Sequence, residues 1–125
     1  MISATLKKLR YKQGFRIWVV GAPAAFEAQL VSGSKDLTRV EKPGKDLDLI
    51  QSFFTRRAHL ERDLPRLQSA MGPRTMLWIC YPKAKALGTD LNRDIIREAV
   101  ALAGLETVAI AAIDPVWSAL RCKPR

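Results

Sequence analysis

Three strand-length runs dominate this chain: FRIWVV at 15–20, LDLIQSFF at 47–54 and TMLWICYP at 75–82. In the first, Phe15, Ile17, Trp18, Val19 and Val20 are β-favouring and nearly continuous, which is the pattern of a strand covered on both faces, and the other two read as buried central strands as well. The segments between them are of helical length, not two-residue turns. Parallel neighbours need such crossovers, whereas antiparallel ones do not. The spacing therefore predicts an α/β fold of the Rossmann-like kind: a mostly parallel sheet with helices on both faces and right-handed connections. TVAIAAI and VWSALRC, joined by Asp114-Pro115, are too close together for a crossover and predict a C-terminal antiparallel hairpin.

Between the strands, Pro23 suits the first turn of a helix over AAFEAQLV. Ser32-Gly33-Ser34 reads as a loop, LTRVE as a weak second strand, and Pro43-Gly44-Lys45-Asp46 as a turn. Thr55 is a natural N-cap for RRAHLERDLPRLQSAM, where Leu60, Leu64, Leu67 and Met71 form a helical stripe. Pro65 lies within that stripe and predicts a kink or a break. Thr89 or Asp90 is expected to cap LNRDIIREAVALAG, whose face is Leu91, Ile95, Ile96, Ala99, Val100 and Ala103, with Gly104 at its end.

At 125 residues and 48% hydrophobic, the chain has the material for one domain spanning 1–125. No run approaches the roughly 20 apolar residues of a membrane span, and the N-terminal stretch lacks the apolar region of a secretion signal. The expected setting is the cytoplasm. Cys80 and Cys122 sit in separate apolar runs and His59 is the sole histidine, so neither a metal site nor a Cys-His pair is expected. The formal charge is +9. Much of it lies at the ends: Lys7, Lys8, Arg10, Lys12 and Arg16 in a segment without acids, 1–14 being its basic N-terminal part, and Arg121, Lys123 and Arg125 at the close. Such an excess favours polyanions.

Two resemblances add to this reading. The order strand, helix, weak strand, strand, helix, strand, helix, hairpin resembles a reduced class I methyltransferase-type Rossmann fold, whose last parallel strand is followed by a helix and an antiparallel pair. That resemblance implies a glycine-rich cofactor turn after the first strand and an acidic residue after the second. Here the turn is VVGAPAAF, with one glycine, Gly21, followed by Ala22 and Pro23, so the family's nucleotide motif does not carry over, and the acidic residue could only be Glu41. The words Trp78 to Lys83 (W-x-x-Y-P-K), Thr89 to Asp94 (T-D-L-N-R-D) and Asp114 to Arg121 (D-x-V-W-S-A-L-R) are similar to those of a small bacterial family catalogued as a domain of unknown function. This second resemblance implies that the three words form one constellation.

Open α/β sheets bind ligands at the carboxyl ends of their strands. That rim is expected to gather Gly21-Ala22-Pro23, Ser52 to Thr55 and Tyr81-Pro82-Lys83, with Thr89, Asp90 and Asn92 opening the next helix. Lys83, Thr89, Asp90, Asn92 and Arg93 are the candidate contacts for a small anionic ligand or a protein partner. The competing reading makes them helix caps, with Asp94 pairing Arg97 or Lys83. Trp117 and Arg121 share a strand face, fit for base stacking and phosphate contact or for plain burial. The expectation drawn from these residues is a non-catalytic binding module working at the carboxyl rim, its cofactor unidentified. Nucleic-acid binding through the basic termini is second and a minimal methyltransferase-like enzyme third.

Overall fold

A computed structural model describes residues 2–44 and 46–125. The mostly parallel α/β architecture is present. The elements are α1 (Ala4–Lys8), β1 (Arg16–Val20), α2 (Ala24–Ser32), β2 (Thr38–Val40), β3 (Leu49–Phe53), α3 (Arg57–Ser69), β4 (Met76–Pro82), α4 (Arg93–Leu102), β5 (Leu105–Ala112) and β6 (Trp117–Pro124). They build a six-stranded sheet in the order β2-β1-β3-β4-β6-β5. Strands β2, β1, β3 and β4 pair in parallel, while β6 enters antiparallel between β4 and β5. The order reverses between β1 and β3, so the crevice at a topological switch point lies at the carboxyl ends of these two strands.

Strands β3 and β4 are buried almost throughout, with the polar Gln51 and Ser52 of β3 hydrogen-bonded inside the sheet. One face of the sheet packs α3 and α4: Leu60, Leu64 and Leu67 meet Trp18, Ile50, Leu77 and Ile79 beside Ile96 and Val100. The other packs α1 and α2: Leu6, Leu9, Tyr11, Phe26 and Leu30 meet Ile17, Leu49, Phe53, Trp78 and Cys80. Polar atoms on this second face are satisfied internally. Tyr11 donates its hydroxyl to Gln51 at 2.9 Å, the Gln51 amide donates to the Cys80 sulfur at 2.9 Å, and the Trp78 indole donates to the Leu9 carbonyl at 2.8 Å.

Several local expectations need correction. The start of the chain is helical, because Ser3 caps it by accepting from the Leu6 amide at 3.2 Å. Ser32 closes α2 rather than opening a loop, and Ser34–Asp36 form a single 3-10 turn. The expected 43–46 turn includes Lys45, which lies outside the described residues. Helix α3 runs unbroken through Pro65. The proline lies on the exposed side, where the Glu61 carbonyl that loses its partner faces water. Thr55 does not cap α3, whose cap position is Arg56, without a side-chain bond. Leu91 is buried as expected but precedes its helix. No helix among the described residues is long and apolar enough to cross a membrane.

Candidate functional site

The rim at the switch point is built around Gly21. Its φ is +71°, a conformation that side chains resist, and a β-carbon there would stand 3.0 Å from the Phe53 carbonyl oxygen. The exits of β1 and β3 are therefore pressed together by backbone. Helix α2 begins directly after this turn, with Pro23 at its cap position and no side-chain cap. Phe26 and Glu27 direct their amides to the Pro23 carbonyl, which leaves the opening amides of the helix facing the rim. Beside them, Val19, Arg39, Val40 and Glu41 line a groove of about 570 Å³ along the upper halves of β1 and β2. Arg39 is held on its wall by a two-pronged pair with Glu27 at 2.6 and 2.8 Å. That hydrogen bond lowers the Glu27 carboxyl below its ordinary range and raises the Arg39 guanidinium. Glu41 is exposed and makes no ion pair among the described residues.

On the β4 side of the rim, Lys83 is half-buried and donates its amide to the Val116 carbonyl at 2.8 Å. The loop after it, 84–88, holds Ala84, Lys85 and Leu87 at positive φ. Each such residue costs roughly 1–2 kcal/mol relative to ordinary backbone. The three sequence words meet unevenly here. The first and third run side by side on β4 and β6, with Tyr81 opposite Ser118 and Pro82 opposite Trp117. The second faces the β3–α3 junction instead.

That placement corrects the capping scheme. Asn92, not Thr89 or Asp90, caps α4, accepting from the Ile95 amide at 2.8 Å. Asp90 reaches across to α3 and accepts from the Arg57 amide at 2.8 Å. Thr89 donates to the Thr55 carbonyl at 2.6 Å and accepts from the Leu91 amide at 3.0 Å. What reads in the sequence as redundant capping is three separate tasks: one tie between loops and one cap for each of two helices. Arg93 is exposed at the first turn of α4. Asp94 forms no ion pair among the described residues, and Arg97 donates instead to the Thr107 hydroxyl at 3.2 Å.

Trp117 and Arg121 share a face but not an environment. Trp117 is buried, edge-on to Phe53 with centroids 5.2 Å apart. Arg121 lies toward the other end of β6, half-buried, with its guanidinium 3.8 Å from the Met76 sulfur. A joint stacking platform is not formed. His59 is exposed on α3. Both thiols are buried, which pushes Cys122 up to about 12 and Cys80 further.

The residues of the rim suit a specific cofactor chemistry. S-adenosylmethionine offers an amino-acid carboxylate, a ribose diol and an aromatic adenine with hydrogen-bonding edges. The open amides of α2 match the first. Glu41, about 20 residues beyond Gly21, stands where an acidic side chain accepts from ribose hydroxyls in dinucleotide sites. The groove volume falls within the roughly 300–1,000 Å³ of small-molecule sites. In dinucleotide folds the second glycine of the turn clears space for a pyrophosphate. Here Ala22 and Pro23 stand where that glycine would be, a departure from the glycine-rich turn.

The fold is that of the Rossmann-like methyltransferases. Among solved structures similar to this chain is an S-adenosylmethionine-dependent methyltransferase from Aquifex aeolicus, with a TM-score of 0.60 and 15% identity, covering 97% of this chain and 89% of that one. An O-methyltransferase of neocarzinostatin biosynthesis, solved with S-adenosylmethionine and a naphthoic acid, gives 0.66 at 14% identity over 98% of this chain and 53% of its own. A ribosomal protein L11 methylase from Lactobacillus delbrueckii gives 0.59 at 10% identity, covering 97% and 76%. No family model and no curated protein matches the sequence. At such identities the likeness is one of fold. It nevertheless overturns the expectation of a non-catalytic anion- or partner-binding module, because the structures that share this architecture are methyltransferases. The reading ranked third from the sequence moves to the front.

Proposed function

We propose that this chain is a reduced methyltransferase-type domain that binds S-adenosylmethionine at the switch point between β1 and β3. The observation that carries the proposal is the sheet order, parallel β2-β1-β3-β4 with β6 inserted antiparallel before β5. A tight glycine turn and a helix start follow β1, and Glu41 lines the groove beside it with Val19, Arg39 and Val40, which supports this reading. In this reading the first amides of α2 receive the cofactor's carboxylate and Glu41 receives its ribose hydroxyls. The backbone at Gly21, close against the Phe53 carbonyl, closes the crevice at its β1–β3 side. When bound, the cofactor supplies an electrophilic methyl group. Lys83 and Arg93, together with the strained 84–88 loop, form the side of the rim that would orient an acceptor bearing negative charge. Thr89, Asp90 and Asn92 contribute by fixing that rim, since their side chains are committed to the bonds described above.

Isothermal titration with S-adenosylmethionine and with S-adenosylhomocysteine tests the proposal. Binding is expected in the unsubstituted chain, with Glu41→Gln weakening it by roughly 10-fold, the equivalent of one hydrogen bond to a charged group. The same variant should melt at an unchanged temperature, because Glu41 is exposed. Absence of heat at millimolar cofactor would remove the proposal.

A further inference from the structure

The two basic ends of the chain, far apart in sequence, meet on one face of the sheet. Leu6, Leu9 and Tyr11 of the N-terminal segment pack against Trp78 and Ala119. The Trp78 indole holds the Leu9 carbonyl at 2.8 Å, and Trp78 stands opposite Arg121 in the β4–β6 ladder. Partners in a ladder project to the same face, and so do alternate residues of a strand. Arg121 and Lys123 therefore emerge on the face that α1 covers, with Lys7, Lys8 and Arg10 exposed beside them. The final residue is held near the start of β5, where the Arg125 amide donates to the Gly104 carbonyl at 3.1 Å. Neither 1–16 nor 115–125 contains an acidic residue. Glu106 answers Lys123 at 3.6 Å across a pair exposed on both sides, which leaves most of the surface charge uncompensated.

We infer that this merged cationic surface binds the phosphate backbone of duplex nucleic acid. Three observations favour that occupant. Among the described residues the exposed large apolar side chains are Val31, Leu87, Leu102, Val108 and Ile110, none of them in either terminal segment, so the described part of this surface offers no wedge to a membrane. It equally lacks the apolar anchors around which protein interfaces are built. Tyr11, Trp78 and Trp117 are buried and Phe15 is partly buried against the same core, so unstacked bases find no open platform and the backbone is what remains to be read. The inference goes beyond the proposed cofactor site and does not depend on it.

The test is binding of duplexes of about 20 base pairs, in DNA and RNA forms, across a salt series and without cofactor. Log affinity is expected to fall linearly with log salt, with a slope of about −0.9 per phosphate neutralised on DNA. Lys8→Gln/Arg10→Gln and Lys123→Gln/Arg125→Gln should each reduce the slope by about two, one for each cation removed from a phosphate. Arg62→Gln/Arg97→Gln, which removes the same charge from α3 and α4, should leave it unchanged. S-adenosylmethionine titrations on the same variants should match the parent, so the two proposals fail separately. No duplex binding at low salt would overturn the inference. So would equal slope changes in all three variants, which would make the effect one of net charge, or complete displacement of duplex by anionic vesicles.

Discussion

Replacing Asp90 by alanine should loosen a helix that begins 33 residues earlier in the chain. The Asp90 carboxylate is the side-chain acceptor for the Arg57 amide, because the cap position of α3 is Arg56, which makes no side-chain bond. Asp90 also places negative charge at the positive end of that helix. Loss of an N-cap acceptor costs roughly 0.5–2 kcal/mol, and the exposure of this one puts the expected loss at about 1 kcal/mol. For a chain of this size that corresponds to a fall in Tm of about 3–5 °C. Urea denaturation gives the total, and amide hydrogen exchange gives the location. Protection should drop at Arg57 and its neighbours in the first turn of α3 while the first turn of α4 keeps its own, since Asn92 serves that helix. Asn92→Ala should show the reverse. Faster exchange at residues 93–96 in Asp90→Ala, with α3 unaffected, would refute the reasoning and restore the simpler view of one redundant cap.

Gly21→Ala should be costly on two grounds, a positive φ and a β-carbon 3.0 Å from the Phe53 carbonyl. A loss of about 1–3 kcal/mol is expected by urea denaturation, and a neutral result would mean that the β1 and β3 exits are further apart than described. The Glu27 carboxyl is lowered in the folded state by its hydrogen bond to Arg39. Its stabilising effect is therefore complete above the unfolded value of about 4.3 and is lost as pH falls through the lower folded one. The stability difference between the parent and Glu27→Gln should shrink on acidification below about pH 4, and a difference constant with pH would exclude this linkage. Cys80 and Cys122 are buried and raised, so a thiol reagent at mildly alkaline pH should label them at the rate of unfolding. Rapid labelling without denaturant would contradict their burial.

The basic N-terminal segment shows how far the sequence could be read. Its charges are plain in the sequence, while Leu6, Leu9 and Tyr11 among them are buried against the sheet. The helix of 4–8 is harder to see, because it is one turn and a half long and rests on a single serine cap. Glu41 and Gly21 were both visible as positions in a methyltransferase-like order. That Glu41 would line a groove with Val19, Arg39 and Val40 was not, since a short, exposed β2 carries almost no periodicity of its own.

What the sequence determined by itself is the set of elements. Strand-length runs rich in apolar residues mark β1, β3 and β4, the stripe Leu60-Leu64-Leu67 marks α3, and Asp114-Pro115 marks the turn into β6. Each of these signals is local, because burial of one face stamps its period on the chain that carries it. Only the tertiary structure decided which elements became neighbours. It placed β6 between β4 and β5, set Asp90 on a helix far upstream, buried Trp117 against Phe53 and joined the two basic termini through Trp78. The physical reason is that a pairing between distant residues leaves no period in either segment. A carboxylate that caps its own helix and one that caps another look alike in sequence, and only the packing of the sheet separates them.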